Sequence, residues 1–280
     1  MLCGRILGDL GADVIKVERP GEDKARNIGP FYKDIPHPER SLYWFAYNAN
    51  KRGITLNLES SDGREIFQKL VKTSHFVIES FAPGYLEELG LGYPSLSKVN
   101  PAIILVSITP FGQSGPYKDY KSSDIVAMAM GGLMYITGDP DRPPVRVSVE
   151  QAYLHAGAQA AIGALFAHWY RELTGKSQWV DISIQESIIP ALPEILPQWQ
   201  FAQYKIVRSG SYIFRGQAWQ RAAWPCQDGQ IGMRILTGAY AKAITPLIEW
   251  MDEEGMAGKL RDINWEEIDV SQITQEEYDS

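Results

Sequence analysis

The chain has 280 residues, of which 45% are hydrophobic and 22% are charged, and its formal net charge is −7. This composition is typical of a globular protein with a sizeable core. An acidic chain without a long run of lysine or arginine is poorly suited to nucleic acids or anionic membranes, so neither is predicted as a partner. A few placed cations can still bind an anionic cofactor.

Two cysteines, Cys3 and Cys226, are too few and too distant for a disulfide framework, which indicates a reducing compartment. Neither belongs to a C-x-x-C pair, and the four histidines show no metal-ligand spacing, so no metal is predicted. The apolar stretches are too short to cross a bilayer, and the first ten residues make a poor signal peptide. We therefore predict a cytoplasmic protein.

The first half of the chain alternates helices and strands. Helices are predicted at 2–10, 60–73, 85–89 and 93–99, and strands at 12–17, 53–58, 75–79 and 102–108. This alternation predicts a parallel, doubly wound α/β sheet. Because the layer opens on a helix, we expect that a preceding strand is missing, since strand 12–17 would otherwise tend to become an exposed edge.

The second half is dominated by one long helix. Its clearest part is predicted at 151–169, where many alanines and glycines let another element approach closely, and Thr174-Gly175-Lys176 is predicted to end it. Other predicted elements are helices at 123–136, 186–195 and 239–250, a strand at 179–184, and a hairpin within 226–236. The pattern weakens beyond about residue 205. We therefore predict a large domain over 1–200, and a linker with part of a small domain over 201–280.

Common nucleotide and hydrolase motifs are absent from the sequence. No G-x-G-x-x-G follows the first strand, and no G-x-x-x-x-G-K-[ST] or G-x-S-x-G occurs. The missing glycine fingerprint disfavours an NAD-linked oxidoreductase, although the fold alone does not exclude one.

Five ordered strings, together and in this order, resemble the family III (CaiB/BaiF-type) CoA-transferases. They occupy residues 11–20, 50–58, 79–84, 110–117 and 171–183, and read GADVIKVERP, NKRGITLNL, ESFAPG, PFGQSGPY and RELTGKSQWVDIS. Each string alone has an ordinary interpretation as a strand end, a turn or a helix end. The resemblance extends from residue 2 to about residue 189 and then fades.

The resemblance implies a Rossmann-like large domain with a parallel sheet, a small α/β domain, and two chains interlocked as a dimer. Full-length members begin with another strand and continue well beyond residue 280, so we expect that this chain is truncated at both ends. Members move coenzyme A (CoA) between carboxylic acids. An aspartate attacks the acyl-CoA to form a mixed anhydride, CoA then forms an aspartyl thioester, and the acceptor acid takes the CoA.

The resemblance places Tyr153 at the position of that aspartate, four residues before Gly157. A phenol with a pKa near 10 is neutral at pH 7 and cannot act as this nucleophile. The catalytic prediction is therefore that no residue of this chain supplies the nucleophile. The nearest carboxylate, Glu150, lies three residues earlier and would need a local rearrangement to reach the same point.

The CoA contacts that the resemblance implies are only partly preserved. Four residues match cofactor-binding positions: Arg19 near the adenosine-phosphate end, Leu56 and Phe81 in the adenine pocket, and Lys121 near the CoA chain.

Three further matching positions differ from the family: Glu59 often corresponds to Lys, Glu88 to Arg, and Ser80 to Asn. Glu59 and Glu88 reverse the charge beside an expected polyphosphate, which opposes CoA binding. Arg19 and Lys121 could equally be solvated surface cations, and Leu56 and Phe81 could be core residues.

Three hypotheses remain open at this point. The chain is a non-catalytic CoA-transferase subunit that pairs with a related chain carrying the aspartate; it is an active transferase that uses Glu150 or another carboxylate; or it is an inactive truncated homologue. A homodimer or a heteromer with a related chain is predicted, with acyl-CoA and a carboxylic acid as ligands. The sequence does not identify the acids.

Overall fold

The computed structural model describes residues 1–193, 195–215, 218–269 and 272–279. These residues group into two compact units, Met1–Tyr135 with Arg146–Ile206, and Ile136–Val145 with Val207–Ser280. Each unit is described by itself below. The predicted domain boundary between residues 200 and 201 stays a prediction.

The first unit contains eight α-helices and five strands among its described residues. The helices are α1 (Leu2–Asp9), α2 (Leu42–Asn48), α3 (Ser61–Val71), α4 (Tyr85–Glu88), α5 (Tyr93–Val99), α6 (Asp124–Met130), α7 (Ala152–Thr174) and α8 (Ile195–Ala202). The strands are β1 (Val14–Glu18), β2 (Lys51–Thr55), β3 (Phe76–Glu79), β4 (Ile104–Thr109) and β5 (Trp179–Ser183).

The strands of this unit form two parallel sheets, so the predicted α/β class with parallel strands is confirmed. One sheet pairs β1 with β2, and the other has the order β3-β4-β5. In the second sheet Glu79 lies opposite Ser107, which in turn lies opposite Asp181. Because all three strands run in the same direction, their carboxyl ends meet at one edge of this sheet.

Apolar layers cover both faces of the three-stranded sheet. On one face, Ile104 and Val106 pack against α1 and α7 through Cys3, Leu7 and four alanines of α7. On the other face, Leu105 packs with residues of α3, α4 and α5. The central strand β4 is buried along almost its whole length. This accounts for its continuous apolar sequence, which is typical of a parallel strand covered on both sides.

The small residues of α7 permit close contact with its neighbours. A Cβ atom on Gly157 would lie 2.8 Å from the Cβ of Leu2 in α1, and one on Gly163 would lie 2.9 Å from Val180 in β5. The helix ends at Gly175, whose φ of 71° suits glycine. The helix therefore ends where the Thr174-Gly175-Lys176 string predicts.

Three predicted helices are interrupted. The helix predicted at 239–250 is a 3₁₀ segment, Gly238–Ala243, followed by a separate helix, Thr245–Glu253. The helix predicted at 186–195 is a 3₁₀ segment, Glu186–Ala191, followed by the separate helix α8, because Pro190 and Pro193 cannot donate backbone hydrogen bonds. The helix predicted at 123–136 stops at Met130, where Gly131 and Gly132 follow, and Gly132 has a φ of 90°. Helix α2, between β1 and β2, was not predicted.

The second unit contains two antiparallel hairpins and two helices among its described residues. The first hairpin joins β6 (Tyr212–Arg215) to β7 (Ala218–Arg221), and the second joins β8 (Ala223–Cys226) to β9 (Gly229–Gly232). The second matches the predicted hairpin around the Gln-Asp-Gly-Gln turn. Helices α9 (Thr245–Glu253) and α10 (Gln275–Asp279) complete the unit. Its apolar core includes Ile244, Ile248 and Ala257.

Candidate functional site

The beginning of α7 is capped by a carboxylate from a different helix. Asp124, the first residue of α6, is buried, and its two carboxylate oxygens accept hydrogen bonds from the backbone N–H groups of Gln151 (3.3 Å) and Tyr153 (3.1 Å). The first N–H groups of a helix have no acceptors within the helix, and a carboxylate there satisfies them and complements the helix dipole. Asp124 therefore fixes the residues that present Tyr153.

A second carboxylate, Glu150, is held at the same place by α2. The Tyr43 hydroxyl donates a 2.6 Å hydrogen bond to Oε2 of Glu150. Burial and the adjacent carboxylate raise the pKa of Tyr43, so this phenol keeps its proton and remains a donor at neutral pH. The ring of Tyr47 packs edge-on against Tyr43 with centroids 4.8 Å apart. Glu150 is thus oriented by a phenol that lies 107 residues away in the sequence.

Tyr153 lies beside both carboxylates. Burial raises its pKa, and the negative charges of Asp124 and Glu150 raise it further, while the bond to Asp124 opposes the change. The phenolate is therefore even less accessible at neutral pH than in a free tyrosine. A neutral phenol offers a hydrogen-bond donor and acceptor at this point, and not an anionic nucleophile.

The predicted cofactor residues begin at the carboxyl ends of the two-stranded sheet. Arg19 directly follows β1 and is exposed, and Leu56 directly follows β2 and is half-buried. The backbone N–H of Leu56 donates to the carbonyl of Glu18 (2.8 Å), so Leu56 lies beside the residue that precedes Arg19. The structure therefore brings these two predicted residues together.

Phe81 belongs to a small group of side chains that follow β3. Its ring lies 4.9 Å from that of Tyr85, and the Tyr85 hydroxyl donates to Oε1 of Glu59 (3.3 Å). Partial desolvation and the charges of Glu59 and Glu88 raise the pKa of Tyr85, while Arg19 lowers it. One cation and two carboxylates therefore act on Tyr85, the ring partner of Phe81, and Phe81 itself is 42% exposed.

The remaining predicted residue, Lys121, is exposed in the segment between β4 and α6. Ser80, between Glu79 and Phe81, is also exposed. Sequence patterns did not identify Tyr43, Asp124 or Tyr85 as parts of these clusters. The fold joins Tyr43 and Asp124 to the start of α7 over long sequence separations, so spacing gave no signal. Tyr85 lies only four residues after Phe81, across the turn that precedes α4, so their proximity was open to inference.

Metal-ligand groups and membrane-spanning helices are both absent from the described part of the chain. Its residues include no group of three or more His, Cys, Asp or Glu side chains arranged to hold a metal ion. No helix in that part has the length and apolar character needed to span a membrane.

The described residues of the first unit thus combine parallel α/β sheets, a long helix rich in small residues and exposed side chains at the strand ends. Residues 1–269 match the family model for CoA-transferase family III. The chain belongs to this family, and the resemblance inferred from its five motifs is confirmed.

Known relatives agree with this assignment. The chain is 38% identical to succinyl-CoA:(R)-benzylsuccinate CoA-transferase subunit BbsE of Thauera aromatica, over 90% of this chain and 60% of that one. It is 38% identical to the beta subunit of succinyl-CoA--L-malate CoA-transferase of Chloroflexus aurantiacus, over 74% of this chain and 50% of that one. The chain thus spans about half to three-fifths of these relatives' length.

The fold also matches solved structures of the family. A CAIB/BAIF family protein from Brucella suis superposes with a TM-score of 0.78 and 32% sequence identity, which covers 94% of this chain and 68% of that chain.

Proposed function

We propose that this chain is a non-catalytic subunit of a family III CoA-transferase, and that a related chain supplies the aspartate. The observation that carries this proposal is the environment of Tyr153. Its pKa is raised by burial and by Asp124 and Glu150, so a neutral phenol occupies the position at which the family resemblance expects a nucleophilic carboxylate.

The proposed reaction moves CoA from succinyl-CoA to a second dicarboxylic acid. Two relatives support this choice, because their names specify succinyl-CoA with (R)-benzylsuccinate and with L-malate. Succinate, benzylsuccinate and malate each carry two carboxylates, one to be activated and one available for recognition. The same names contain the words subunit and beta subunit, which supports a heteromer of related chains.

An exposed apolar surface supports a partner chain. Six large apolar residues recur at helical spacing on one side of α7, and three of them are more than 60% exposed. They are Ile162, Leu165, Phe166, Trp169, Tyr170 and Leu173. A contiguous apolar row of this kind is typical of an interaction surface. We propose that a related family chain covers it, in a cytoplasmic heteromer.

The proposed CoA contacts are Arg19, Leu56, Phe81 and Lys121. Leu56 lies beside the residue before Arg19, and Phe81 contributes an exposed ring paired with Tyr85, which suits stacking with a purine. Glu59 and Glu88 surround the same aromatic pair and oppose the phosphates of CoA. We therefore propose weak CoA binding by this chain, with the tighter site on its partner.

A second function is favoured by one specific observation, the hydrogen bond from Tyr43 to Glu150. Glu150 lies just before the start of α7 and is oriented by the neutral phenol of Tyr43, so its carboxylate is a candidate nucleophile. In this alternative, the chain itself is an active transferase. Removal of the carboxylate by Glu150→Gln then abolishes transfer, whereas the first proposal expects no loss.

The test is co-expression with a family chain that has aspartate at the position of Tyr153, followed by assays of transfer from succinyl-CoA to dicarboxylic acids. We expect no activity from this chain alone and activity from the complex. Replacement of the partner's aspartate by asparagine should abolish it, and Glu150→Gln in this chain should not. Turnover by this chain alone that Glu150→Gln removes would establish the alternative.

Tyr153→Asp gives a second test within the chain itself. We expect that this substitution alone restores no activity, because Glu59 and Glu88 still oppose the phosphates of CoA. An active single mutant would show that Tyr153 is the sole defect of the site.

A further inference from the structure

A row of polar side chains crosses the three-stranded sheet near its carboxyl edge. The indole Nε1–H of Trp179 on β5 donates to Oγ of Ser107 on β4 (2.9 Å). Ser107 lies opposite Glu79 on β3, so the two side chains are cross-strand neighbours, and Ser107 lowers the pKa of Glu79 as a hydroxyl donor does. Oε2 of Glu79 then accepts the backbone N–H of Phe81 (2.7 Å). The turn after β3 is therefore tied to a strand two positions away in the sheet.

The direction of each hydrogen bond is fixed by the chemistry of its members. An indole N–H can only donate, so the Ser107 oxygen accepts from Trp179 and the Ser107 hydroxyl hydrogen is left for Glu79. Ser107 is 1% exposed, and burial raises the pKa of Glu79, with the charges of Glu87 and Asp181 adding to the effect. A buried polar group destabilises the fold unless it has a hydrogen-bond partner. The loss of Trp179 or Ser107 is therefore expected to weaken the hold on the Glu79 carboxylate.

The last link fixes Phe81. Its backbone N–H is held by Glu79, while its ring is paired with Tyr85 and remains 42% exposed. A ring that is exposed and held on a fixed backbone is suited to stacking with a planar ligand at low entropic cost. The carboxyl edge of a parallel sheet is also where ligands of α/β proteins bind.

We propose that Glu79, Ser107 and Trp179 are positioning residues that hold the ring of Phe81 in place for the adenine of the nucleotide. This inference rests on the proposed function, because that proposal assigns Phe81 to the adenine pocket. None of the three residues needs to touch the ligand, since they act through the backbone of the turn.

The same strand provides a matched control. Thr109 lies two residues after Ser107 on β4 and is fully buried, yet its hydroxyl has no hydrogen-bond partner among the described residues. Thr109→Val replaces it by a residue of the same shape. This substitution therefore removes a buried hydroxyl from β4 and leaves the hydrogen bonds of Trp179 and Phe81 in place.

The experiment compares Ser107→Ala, Trp179→Phe and Thr109→Val with the unsubstituted chain in two measurements. The first is amide hydrogen exchange at Phe81 by NMR. We expect exchange about tenfold faster in Ser107→Ala and Trp179→Phe, because the acceptor of this amide is no longer held, and no change in Thr109→Val. Equal exchange in all four proteins would overturn the proposal.

The second measurement is the affinity for adenosine and for pantetheine by ligand-detected NMR. Adenosine carries no phosphate, so Glu59 and Glu88 do not repel it. We expect about fivefold weaker adenosine binding in Ser107→Ala and Trp179→Phe, and unchanged pantetheine binding, since a lost buried hydrogen bond is worth about 1 kcal/mol. Equal weakening for both ligands would indicate a general structural role and contradict positioning.

The two proposals fail in different ways. If the unsubstituted chain does not bind adenosine, Phe81 is not an adenine contact and this inference is wrong. If adenosine binding responds as expected but no complex transfers CoA, the proposed function is wrong while the positioning role stands.

Discussion

The beginning of α7 and the ends of β1 to β3 use their charged side chains in different ways. At the beginning of α7, each carboxylate already has a partner within the chain: Asp124 caps the helix and Glu150 accepts from Tyr43. At the strand ends, an aromatic pair is still open to a ligand, but Glu59 and Glu88 stand around it with Arg19.

Under the proposed function, the α7 region determines whether the chain has a nucleophile, and the strand-end region determines how tightly it binds CoA. The α7 region lacks a free anionic nucleophile, and its polar groups now stabilise the helix and orient one another. Under the proposed function, the strand-end region offers an exposed aromatic pair for a purine, with carboxylates nearby that oppose phosphate. We infer that charge substitutions can restore binding at the strand ends, whereas substitutions at α7 mainly alter stability.

The largest expected effect comes from restoring cations at the strand ends. Glu59→Lys with Glu88→Arg should strengthen CoA binding about 100-fold, because each reversal changes the local charge by two and is worth about 1.4 kcal/mol beside a phosphate. Calorimetric titration with CoA measures this effect. Pantetheine, which lacks the nucleotide, should bind equally to both proteins.

The matched control is Glu65→Lys with Glu172→Arg, which changes the net charge equally at two other exposed carboxylates. CoA affinity should respond little to this pair. A similar gain in both double mutants would show that net charge, and not the position of Glu59 and Glu88, governs CoA binding.

The next effect tests the structural role of the carboxylate at α7. Asp124→Ala should lower the free energy of unfolding by about 2 kcal/mol, because two N–H groups at the helix start lose their acceptor. Urea unfolding measures this loss. Asp119→Ala, at an exposed aspartate paired with Lys118, should change stability by less than about 0.5 kcal/mol. Equal effects would contradict a capping role for Asp124.

The smallest effect concerns Glu79 and depends on pH. Burial raises its pKa, so the folded state favours the protonated carboxyl, and its stabilising contribution is complete below the ordinary pKa of 4.5 and lost as pH rises through the folded value. Glu79→Gln should therefore be more stable than the unsubstituted chain at pH 7, and this advantage should shrink in acid. Unfolding across pH 4 to 8 measures the difference.

An exposed carboxylate gives the opposite sign. Lys69 lowers the pKa of Glu65, so its small contribution is present above the ordinary pKa and lost as pH falls. Glu65→Gln should therefore be slightly less stable at pH 7. An advantage for Glu79→Gln that does not change with pH would show that the ionisation of Glu79 is not its cause.

Much of the first unit could be predicted from sequence because its signals are local. The buried strand β4 is a continuous apolar run, Ser60 caps α3 by accepting from the N–H of Gly63, and Gly175 closes α7. Each depends on residues that are adjacent in the chain. The predicted helix bounds were wrong where prolines and paired glycines interrupt apolar periodicity, as they do after Met130 and at Pro190.

Residues of the candidate site could be proposed from the sequence only where a motif or a fixed spacing marks their position. Arg19 and Phe81 were located by their place in ordered strings, Tyr153 by its spacing before Gly157, and Glu150 as the carboxylate nearest to Tyr153. Tyr43 and Asp124 were not, because their roles arise from contacts across 107 and 29 residues, which no local spacing records.

The most direct test of the central claim is to find which chain carries the covalent intermediate. The complex would be incubated with succinyl-CoA, the intermediate trapped by borohydride reduction or hydroxylamine, and both chains mapped by peptide mass spectrometry. We predict modification only at the aspartate of the partner chain, with Glu150 and Tyr153 of this chain unmodified. Modification of Glu150 would contradict the account and identify this chain as the catalyst.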